Sequence, residues 1–329
     1  MRDITNRSDL RDRLIKEKVY VGTVASILGK VSLFELIKFD VAIIDEASQL
    51  LETSLIGFLT RVNKWILIGD HLQLPAIVRQ HKNDTKVKDQ NGLSEVGLNN
   101  LSTSFFERLY KHAESRGWQH CIGQLTHQGR MHEDIMAFVN QRFYNDRLSI
   151  ISSIKRLSAT SQAQYLFSNK RLVFIASQSD TDAESIKVNR DESKKAILVC
   201  KEIVEQLLAR DIAIRNDTIG IITPYRAQIA SIKLELEKVL PKIADQITID
   251  TVERYQGGAR DYIIMSTCAN FSFQLRSLVS LSEDGVDRKL NVAITRSREQ
   301  FILIGNKSIL SQDENYKSLI DASVEYSFA

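Results

Sequence analysis

The sequence predicts an α/β fold built on parallel β-sheets. Apolar runs typical of buried strands alternate with segments of helical periodicity, which is the pattern of repeated βαβ units. One such run, residues 41–44, is continuously apolar and predicts a strand buried on both faces. It leads directly into the adjacent carboxylates Asp45 and Glu46. Because α/β folds bind ligands at the carboxyl ends of parallel strands, these two residues are the first candidate functional residues.

The composition bounds the class of protein. The 329 residues are 43% hydrophobic and 26% charged, which suits one large or two medium globular domains. A net charge of +3 permits a polyanionic partner without requiring one. The three cysteines are far apart, so they predict neither a zinc site nor a disulfide framework and fit a cytoplasmic location. We expect neither a signal peptide nor a membrane span, which needs about 18 apolar residues.

Apolar periodicity places the elements of the first half. The predicted segments are a charged helix at 7–18, strands at 19–26 and 41–44, a helix at 50–62, a buried strand from 64, a polar loop at 81–100 and an amphipathic helix at 104–114. The strand from 64 ends in Gly69, Asp70 and Gln73, so it repeats the pattern of polar residues at a strand end.

A second half begins near residue 118 and predicts a second parallel layer. Its predicted segments are helices at 132–144, 194–208 and 229–240, a polar loop at 176–195, and strands at 219–225, 247–252, 262–268 and 301–305.

Residues 22–32 have some letters of a phosphate-binding loop but not its spacing. That loop requires G-x-x-x-x-G-K-[ST] between a strand and a helix. Here six residues separate Gly22 from Gly29, and Val31 follows Lys30. We therefore interpret this stretch as a strand and a turn.

Six segments occur in an order that matches a known family. They are DEAS at 45–48, GDHLQLP at 69–75, QGRMH at 128–132, TPYRAQ at 223–228, TVERYQGGARD at 251–261 and RKLNVAITRSR at 288–298. From 19 to 306 the chain resembles the C-terminal two-thirds of the motor core of a superfamily 1 helicase, in the 5′→3′ branch that includes senataxin and the RNA-surveillance helicase. The resemblance implies two RecA-like domains, 1–117 and 118–329, the first incomplete, that act on ATP and a single strand.

The resemblance implies roles in phosphoryl transfer, which needs a metal, a positioned water and positive charge on the phosphate. Asp45 is the Mg²⁺ ligand, Glu46 orients the attacking water, and Gln73 senses the γ-phosphate. Arg130 and Arg296 match the arginine fingers. The alternative for each arginine is a surface salt bridge worth under about 1 kcal/mol.

The resemblance also implies contacts to the nucleotide and to the single-stranded nucleic acid. The nucleotide contacts are Asp70, Gln128, Gln256 and Gly257, the last two in a loop that couples nucleotide to strand. The strand contacts are Thr23, Ser26, Thr223, Pro224 and Thr251, whose alternative is ordinary turn and cap residues. Such contacts position a backbone without reading sequence and weaken with salt. Tyr225 either stacks on a base or belongs to the core, and the core is favoured.

Three nucleotide contacts of the family have no counterpart here. The phosphate-binding loop is missing from the 329 residues, Gly129 replaces a tyrosine that packs on adenine, and Ala259 replaces a glutamate. We therefore expect ATP hydrolysis to need a separate N-terminal chain that carries the loop. The alternatives are a non-hydrolysing module that binds single strands or a partner, and an inactive truncated product. We also expect residues 1–80 to be less stable than the second half, because the strand at 41–44 lacks a neighbour.

Overall fold

The computed structural model describes residues 7–30, 32–81, 83–88, 92–152, 167, 170–255 and 257–328. The chain divides into two compact units, Met1–Gly123 (unit 1) and Gln124–Ala329 (unit 2). The division falls a few residues after the predicted 117/118 boundary. Trp118 stays with unit 1 because its ring lies 5.5 Å from that of His112 and its N–H donates to Ala113. No helix in the described ranges is long and apolar enough to cross a membrane.

Unit 1 is a small two-stranded parallel sheet with short helices. Its elements are α1 (Arg7–Lys16), α2 (Val24–Leu28), α3 (Leu33–Leu36), β1 (Phe39–Ile44), α4 (Glu52–Leu59), β2 (Val62–Leu67) and α5 (Phe105–Ser115), with 3₁₀ turns at Ala47–Gln49, Leu93–Val96 and Gln119–Cys121. Strands β1 and β2 pair in parallel, with Ile43 beside Ile66.

The predicted strand at 19–26 is wrong, because its second half is helix α2. Thr23 is the N-cap of this helix, and its hydroxyl accepts a hydrogen bond from the Ser26 N–H at 3.1 Å. Val19 and Val21, which suggested the strand, are exposed. A local cap therefore outweighs a short apolar alternation that has no neighbouring strand to pair with.

The β1–β2 sheet is covered on one face only. Ala42 and Ile44 pack with Leu55 and Phe58 into the core of unit 1. On the opposite face the exposed fractions are 45% for Val41, 66% for Ile43, 43% for Ile66 and 45% for Ile68. We call these four residues the open face. The prediction that residues 41–44 are buried on both faces is wrong, because the described helices of unit 1 cover only one side of this sheet.

Unit 2 is built on a six-stranded parallel sheet in the order β10-β5-β9-β8-β6-β7, beside a short parallel pair, β3 and β4. The strands are β3 (His127–Gln128), β4 (Ser149–Ile150), β5 (Leu172–Ala176), β6 (Ile219–Ile222), β7 (Thr248–Asp250), β8 (Arg260–Ser266), β9 (Ser297–Gly305) and β10 (Val324–Glu325). The helices are α6 (Glu133–Phe143), α7 (Arg190–Leu208), α8 (Arg226–Val239), α9 (Val252–Tyr255), α10 (Leu275–Leu278), α11 (Arg288–Thr295), α12 (Lys307–Leu310) and α13 (Glu314–Ala322), with 3₁₀ turns at Pro241–Gln246 and Ser272–Gln274.

The core of unit 2 lies on this sheet. Ile221, Ile264 and Ile302, on three different strands, are fully buried in one cluster with residues of α7 and α8. The predicted α/β fold class with parallel sheets is confirmed. The sheet has a carboxyl edge, where the loops after β5, β6, β7 and β8 begin, and an amino edge, where β8 and β9 start.

Candidate functional site

The first candidate group lies at the carboxyl end of β1. Asp45 and Glu46 are both exposed. The Asp45 carboxylate accepts a hydrogen bond from the Glu46 N–H at 2.9 Å, and the Glu46 carboxylate accepts one from the Gln49 side chain at 2.9 Å. Glu46 has a φ of 52°, so the chain turns sharply here in the left-handed region. The turn places two consecutive carboxylate residues on the surface.

The second group lies beside it, after β2. Asp70 accepts hydrogen bonds from the Leu72 N–H at 3.0 Å and the Gln73 side-chain amide at 2.9 Å. A Cβ at Gly69 would lie 2.9 Å from the Ser48 nitrogen, so the two turns pack backbone against backbone. The structure therefore brings four of the six predicted residues of unit 1 to one end of one sheet, in the turns after β1 and β2. These four are Asp45, Glu46, Asp70 and Gln73.

In unit 2 the predicted phosphate-facing residues gather at the amino edge of the six-stranded sheet. The Gln128 side chain accepts hydrogen bonds from the N–H groups of Arg130 and Met131, both at 2.8 Å. The exposed Arg130 donates to the Thr295 carbonyl at 3.3 Å. Arg296, only 3% exposed, donates to the Gly258 carbonyl at 3.4 Å. Residues from three distant motifs thus meet at one place.

The loop at 256–259 is described only in part. Gln256 lies outside the described residues, so its predicted contact has no structural account. Gly257 is exposed and has a φ of 82°, a backbone conformation that favours glycine.

His132 stabilises this arrangement of Gln128 and Arg130, and its role was not predicted from the sequence. It is the N-cap of α6, where its ring nitrogen Nδ1 accepts from the Asp134 N–H at 3.1 Å. Its own N–H donates to the Arg298 carbonyl at 2.8 Å, which ties the QGRMH segment to β9. Burial lowers the pKa of His132, with the nearby Arg171 charge adding to this, so the ring stays neutral and can accept. The acidic pair that follows His132 was the available signal of a helix start.

The residues of unit 2 that are predicted to contact single-stranded nucleic acid lie at the carboxyl edge of the β-sheet. The N–H of Thr223 donates to the Asp250 carbonyl at 3.2 Å, so the ends of β6 and β7 are adjacent. Pro224 and Thr251 are partly exposed, and the Thr251 N–H is held by the Asp250 carboxylate at 2.8 Å. The side chain of Thr223 is fully buried, and its hydroxyl makes no hydrogen bond within the described residues. The surface at this point is therefore formed by Pro224 and Thr251.

The two predicted nucleic-acid contacts of unit 1, Thr23 and Ser26, are exposed. The Thr23 hydroxyl caps α2, which fits its alternative interpretation as a cap residue, and its contact with nucleic acid stays a prediction. Tyr225, interpreted as core, is partly exposed, and its hydroxyl lies 2.6 Å from that of Ser277.

The buried carboxylate of Glu192 holds the strand ends of the carboxyl edge together. Glu192, fully buried at the start of α7, accepts hydrogen bonds from the Ser266 hydroxyl at 2.7 Å, the Cys268 N–H at 2.8 Å and the Ser177 hydroxyl at 3.2 Å. Burial raises the pKa of Glu192 to about 7, although these hydrogen bonds act in the opposite direction. One carboxylate thus joins the ends of β5 and β8 to α7. The spacing Asn189-x-x-Glu192, typical of a capping box, marks the start of α7, where the Asn189 side chain accepts from the Glu192 N–H, but it does not predict these partners of the Glu192 carboxylate.

Comparison with known proteins identifies the family. Residues 3–81 and 101–308 each match a family described as an AAA domain, and the second match covers more than half of the chain. An uncharacterized ATP-dependent helicase of Methanocaldococcus jannaschii is 28% identical over 97% of this chain and 44% of its own length. The DNA polymerase alpha-associated DNA helicase A of Saccharomyces cerevisiae is 30% identical over 84% of this chain and 40% of its own. The probable helicase senataxin of Mus musculus is 32% identical over 86% of this chain and 10% of its own length.

The chain belongs to the senataxin-like branch of superfamily 1 helicases. It spans less than half of the length of these three relatives.

The family implies a nucleotide and Mg²⁺, and the residues at β1 fit the metal. Mg²⁺ binds oxygen ligands and usually keeps several waters, with one or two carboxylates and substrate phosphates. Asp45 offers one exposed carboxylate of this kind. No group of three or more His, Cys, Asp or Glu side chains within the described residues could hold a metal by itself. Asp45 would supply one carboxylate to a metal whose other ligands are waters and phosphates.

Gly129 follows Gln128, at the position where the resemblance implies a stacking tyrosine. A Cβ built on Gly129 would lie 2.7 Å from Cδ1 of Ile151. The space next to Gly129 is therefore filled by an aliphatic side chain. A ring could enter there only if Ile151 moved.

Proposed function

We propose that this chain is the C-terminal part of an ATP-dependent superfamily 1 nucleic-acid helicase or translocase. The observation that supports it most is the pairing of the two turns at the end of the β1–β2 sheet. Asp45 and Glu46 lie in one turn and Asp70 and Gln73 in the other, held together by the close approach of Gly69 to Ser48. Carboxylates and an amide at adjacent strand ends are what phosphoryl transfer to water requires.

Each residue has a distinct part in this proposal. Asp45 holds Mg²⁺, which when bound neutralises charge on the phosphates. Glu46 orients the attacking water and accepts its proton, while Asp70 orients the amide of Gln73 toward the phosphate. Arg130 is exposed and supplies positive charge. Arg296 is buried, so in this structure it acts through the loop that it holds at the Gly258 carbonyl.

A separate N-terminal chain is the proposed source of the phosphate-binding loop. The 329 residues contain no G-x-x-x-x-G-K-[ST] segment. The open face of unit 1 is an apolar surface of the kind that a further chain covers. Single-stranded DNA or RNA is the proposed substrate, bound without sequence readout near Pro224 and Thr251. The cytoplasm is the proposed location.

A second candidate function is a non-hydrolysing module that binds single strands. The Gly129–Ile151 contact favours it, since the chain has no ring for a nucleobase at this position. Strand binding without nucleotide turnover is the behaviour that would support this candidate.

ATP turnover by the purified chain, with and without single-stranded DNA or RNA, tests the proposal. We expect the chain alone to bind single strands and turn over little ATP, and added N-terminal chain to restore strand-stimulated turnover. Glu46→Gln should lower the restored rate by roughly 10²- to 10⁴-fold, the range for loss of a general base. Glu17→Gln, which changes an exposed carboxylate elsewhere in unit 1, is the matched control.

Two outcomes would contradict parts of the proposal. Robust strand-stimulated turnover by the chain alone, abolished by Glu46→Gln, would remove the need for a second chain. Absence of both nucleotide and strand binding, even with the N-terminal chain present, would overturn the helicase assignment.

A further inference from the structure

A stacked pair of phenylalanines lies just beyond the carboxyl end of β8. The ring centroids of Phe271 and Phe273 are 5.6 Å apart, and the ring planes differ by 12°. Phe273 is 58% exposed. One exposed apolar residue is ordinary on a protein surface, but a parallel aromatic pair with one member in water presents a flat apolar platform.

The platform lies next to the proposed strand contacts. The 3₁₀ turn Ser272–Gln274 runs directly into α10, so Phe273 and Ser277 are four residues apart on one continuous helical stretch. The Ser277 hydroxyl lies 2.6 Å from the hydroxyl of Tyr225, and the Gln274 amide lies 3.5 Å from the same oxygen. Tyr225 directly follows Pro224. Phe273 is therefore about one helical turn from the carboxyl edge, where single-stranded nucleic acid is proposed to bind.

Cations surround the same place. The Lys187 ammonium lies 5.9 Å from the centroid of the Tyr225 ring. Lys289 donates to the Ser277 carbonyl at 2.9 Å and forms an ion pair with Glu253 at 3.7 Å. Arg276, between Phe273 and Ser277, is exposed. Aromatic faces interleaved with lysine and arginine are the combination that binds single strands, because bases stack while phosphates meet positive charge.

We propose that Phe273, backed by Phe271, is a base-stacking subsite for single-stranded nucleic acid. It extends the strand contact beyond Pro224 and Thr251 and rests on the strand binding of the proposed function. Stacking accepts every base, so this subsite adds affinity without sequence preference. Residues 271–273 lie outside the six motifs quoted above, so the family resemblance did not suggest this subsite.

Fluorescence anisotropy of a labelled single-stranded oligonucleotide tests the subsite. Phe273→Ala should weaken binding roughly 5- to 100-fold, the range for loss of one stacked base. Phe273→Tyr keeps a ring and should stay near wild-type affinity. Leu234→Ala is the matched control, because Leu234 is 59% exposed on α8, and it should leave affinity unchanged.

A second readout reports stacking itself. With 2-aminopurine in the oligonucleotide, binding to the wild-type chain should quench the fluorescence of the base, and Phe273→Ala should lose that quenching. Equal affinity and equal quenching for wild type and Phe273→Ala would overturn the subsite and leave the proposed function intact. The same loss in Leu234→Ala as in Phe273→Ala would also overturn it. If the wild-type chain binds no single strand at low salt, the strand binding of the proposed function fails first, and this inference fails with it.

Discussion

Two strands of nearly the same apolar character lie in opposite surroundings in the two units. Ile302 in β9 is fully buried, whereas Ile43 in β1 is 66% exposed. Strand β9 lies between β5 and β8 in the six-stranded sheet. Within the described residues, β1 pairs only with β2. The difference therefore comes from the neighbours of the strand and not from its own composition.

This contrast shows what an apolar run can and cannot indicate. A run of isoleucine and valine predicts a strand with two apolar faces, but not whether the covering elements belong to the same chain. In unit 1 the open face belongs to the sheet whose end carries Asp45 and Glu46. The proposed hydrolytic carboxylates thus depend on the less buried of the two sheets, and an exposed apolar face of this kind is typical of a surface that another chain covers.

The largest expected effect compares one substitution at the two isoleucines. Ile302→Ala should lower the free energy of unfolding by about 2–5 kcal/mol, because it leaves a cavity in a closed core. Ile43→Ala should change it by no more than about 0.5 kcal/mol, since the side chain is mostly in water. Denaturant unfolding measures both. Far-UV circular dichroism follows the whole chain, while tryptophan fluorescence follows unit 1, which contains both tryptophans, Trp65 and Trp118.

The same titration tests whether unit 1 is the less stable unit. We expect the fluorescence midpoint of the wild-type chain to lie at lower denaturant than the midpoint of the remaining dichroism. An Ile43→Ala loss as large as that of Ile302→Ala would show that the open face is covered in solution. Coincident transitions would show that unit 1 is not the less stable unit. Limited proteolysis that cuts both units at equal rates would give the same answer.

The second effect depends on pH and belongs to unit 2 alone. The pKa of Glu192 is about 7 in the folded protein and 4.5 as the reference for the unfolded chain. The folded state therefore holds this proton more tightly, so its stabilisation is complete below pH 4.5 and is lost as the pH rises to 7. Relative to Glu192→Gln, the wild-type free energy of unfolding should fall by up to about 3 kcal/mol across this window.

The dichroism transition measured at several pH values between 4.5 and 8 checks this. Glu205→Gln, at an exposed position of the same helix α7, is the control and should follow the wild-type profile. Parallel profiles for wild type and Glu192→Gln would mean that the carboxylate stays ionised throughout and that its hydrogen bonds outweigh its burial.

The sequence predicted the strands of unit 2 more reliably than the residues at which helices begin. Strands β6, β8 and β9 were predicted because buried parallel strands are short apolar runs bounded by polar residues. Helix α7 was predicted from residue 194, but it starts at Arg190, because its polar first turn was interpreted as loop. Helix α2 was missed for a related reason, since a single threonine cap decided the structure of a segment with few contacts.

The candidate site was predicted only as far as the motifs reach. Asp45 and Glu46 follow from a strand end, so their placement needed no long-range information. The contact of Arg130 with the Thr295 carbonyl joins residues far apart in the sequence, and only the ordered motifs suggested their proximity. His132 and Glu192 act by holding backbone groups, and each looked like an ordinary helix-start residue in the sequence. The exposed ring of Phe273 carries no periodic signal at all.

The smallest effect concerns two glycines of unit 1. A Cβ at Gly69 would lie 2.9 Å from the Ser48 nitrogen and 3.4 Å from that of Ala47, and backbone atoms cannot give way as a flexible side chain can. Gly69→Ala should therefore destabilise unit 1 by roughly 1–3 kcal/mol. A Cβ at Gly57, within α4, would meet nothing within 4 Å. Gly57→Ala should stabilise the same unit by roughly 0.5–1 kcal/mol, because alanine favours helix.

Tryptophan fluorescence during denaturation measures both glycine variants in one unit with one probe. The pair separates two reasons why unit 1 could be weak. If unit 1 were loose throughout, Gly69→Ala would not destabilise it, because the two turns could move apart to admit a methyl group. Opposite signs for the two variants would show that unit 1 is tightly packed at the strand ends that hold Asp45 and Asp70. The carboxylates would then keep their geometry before any second chain covers the open face.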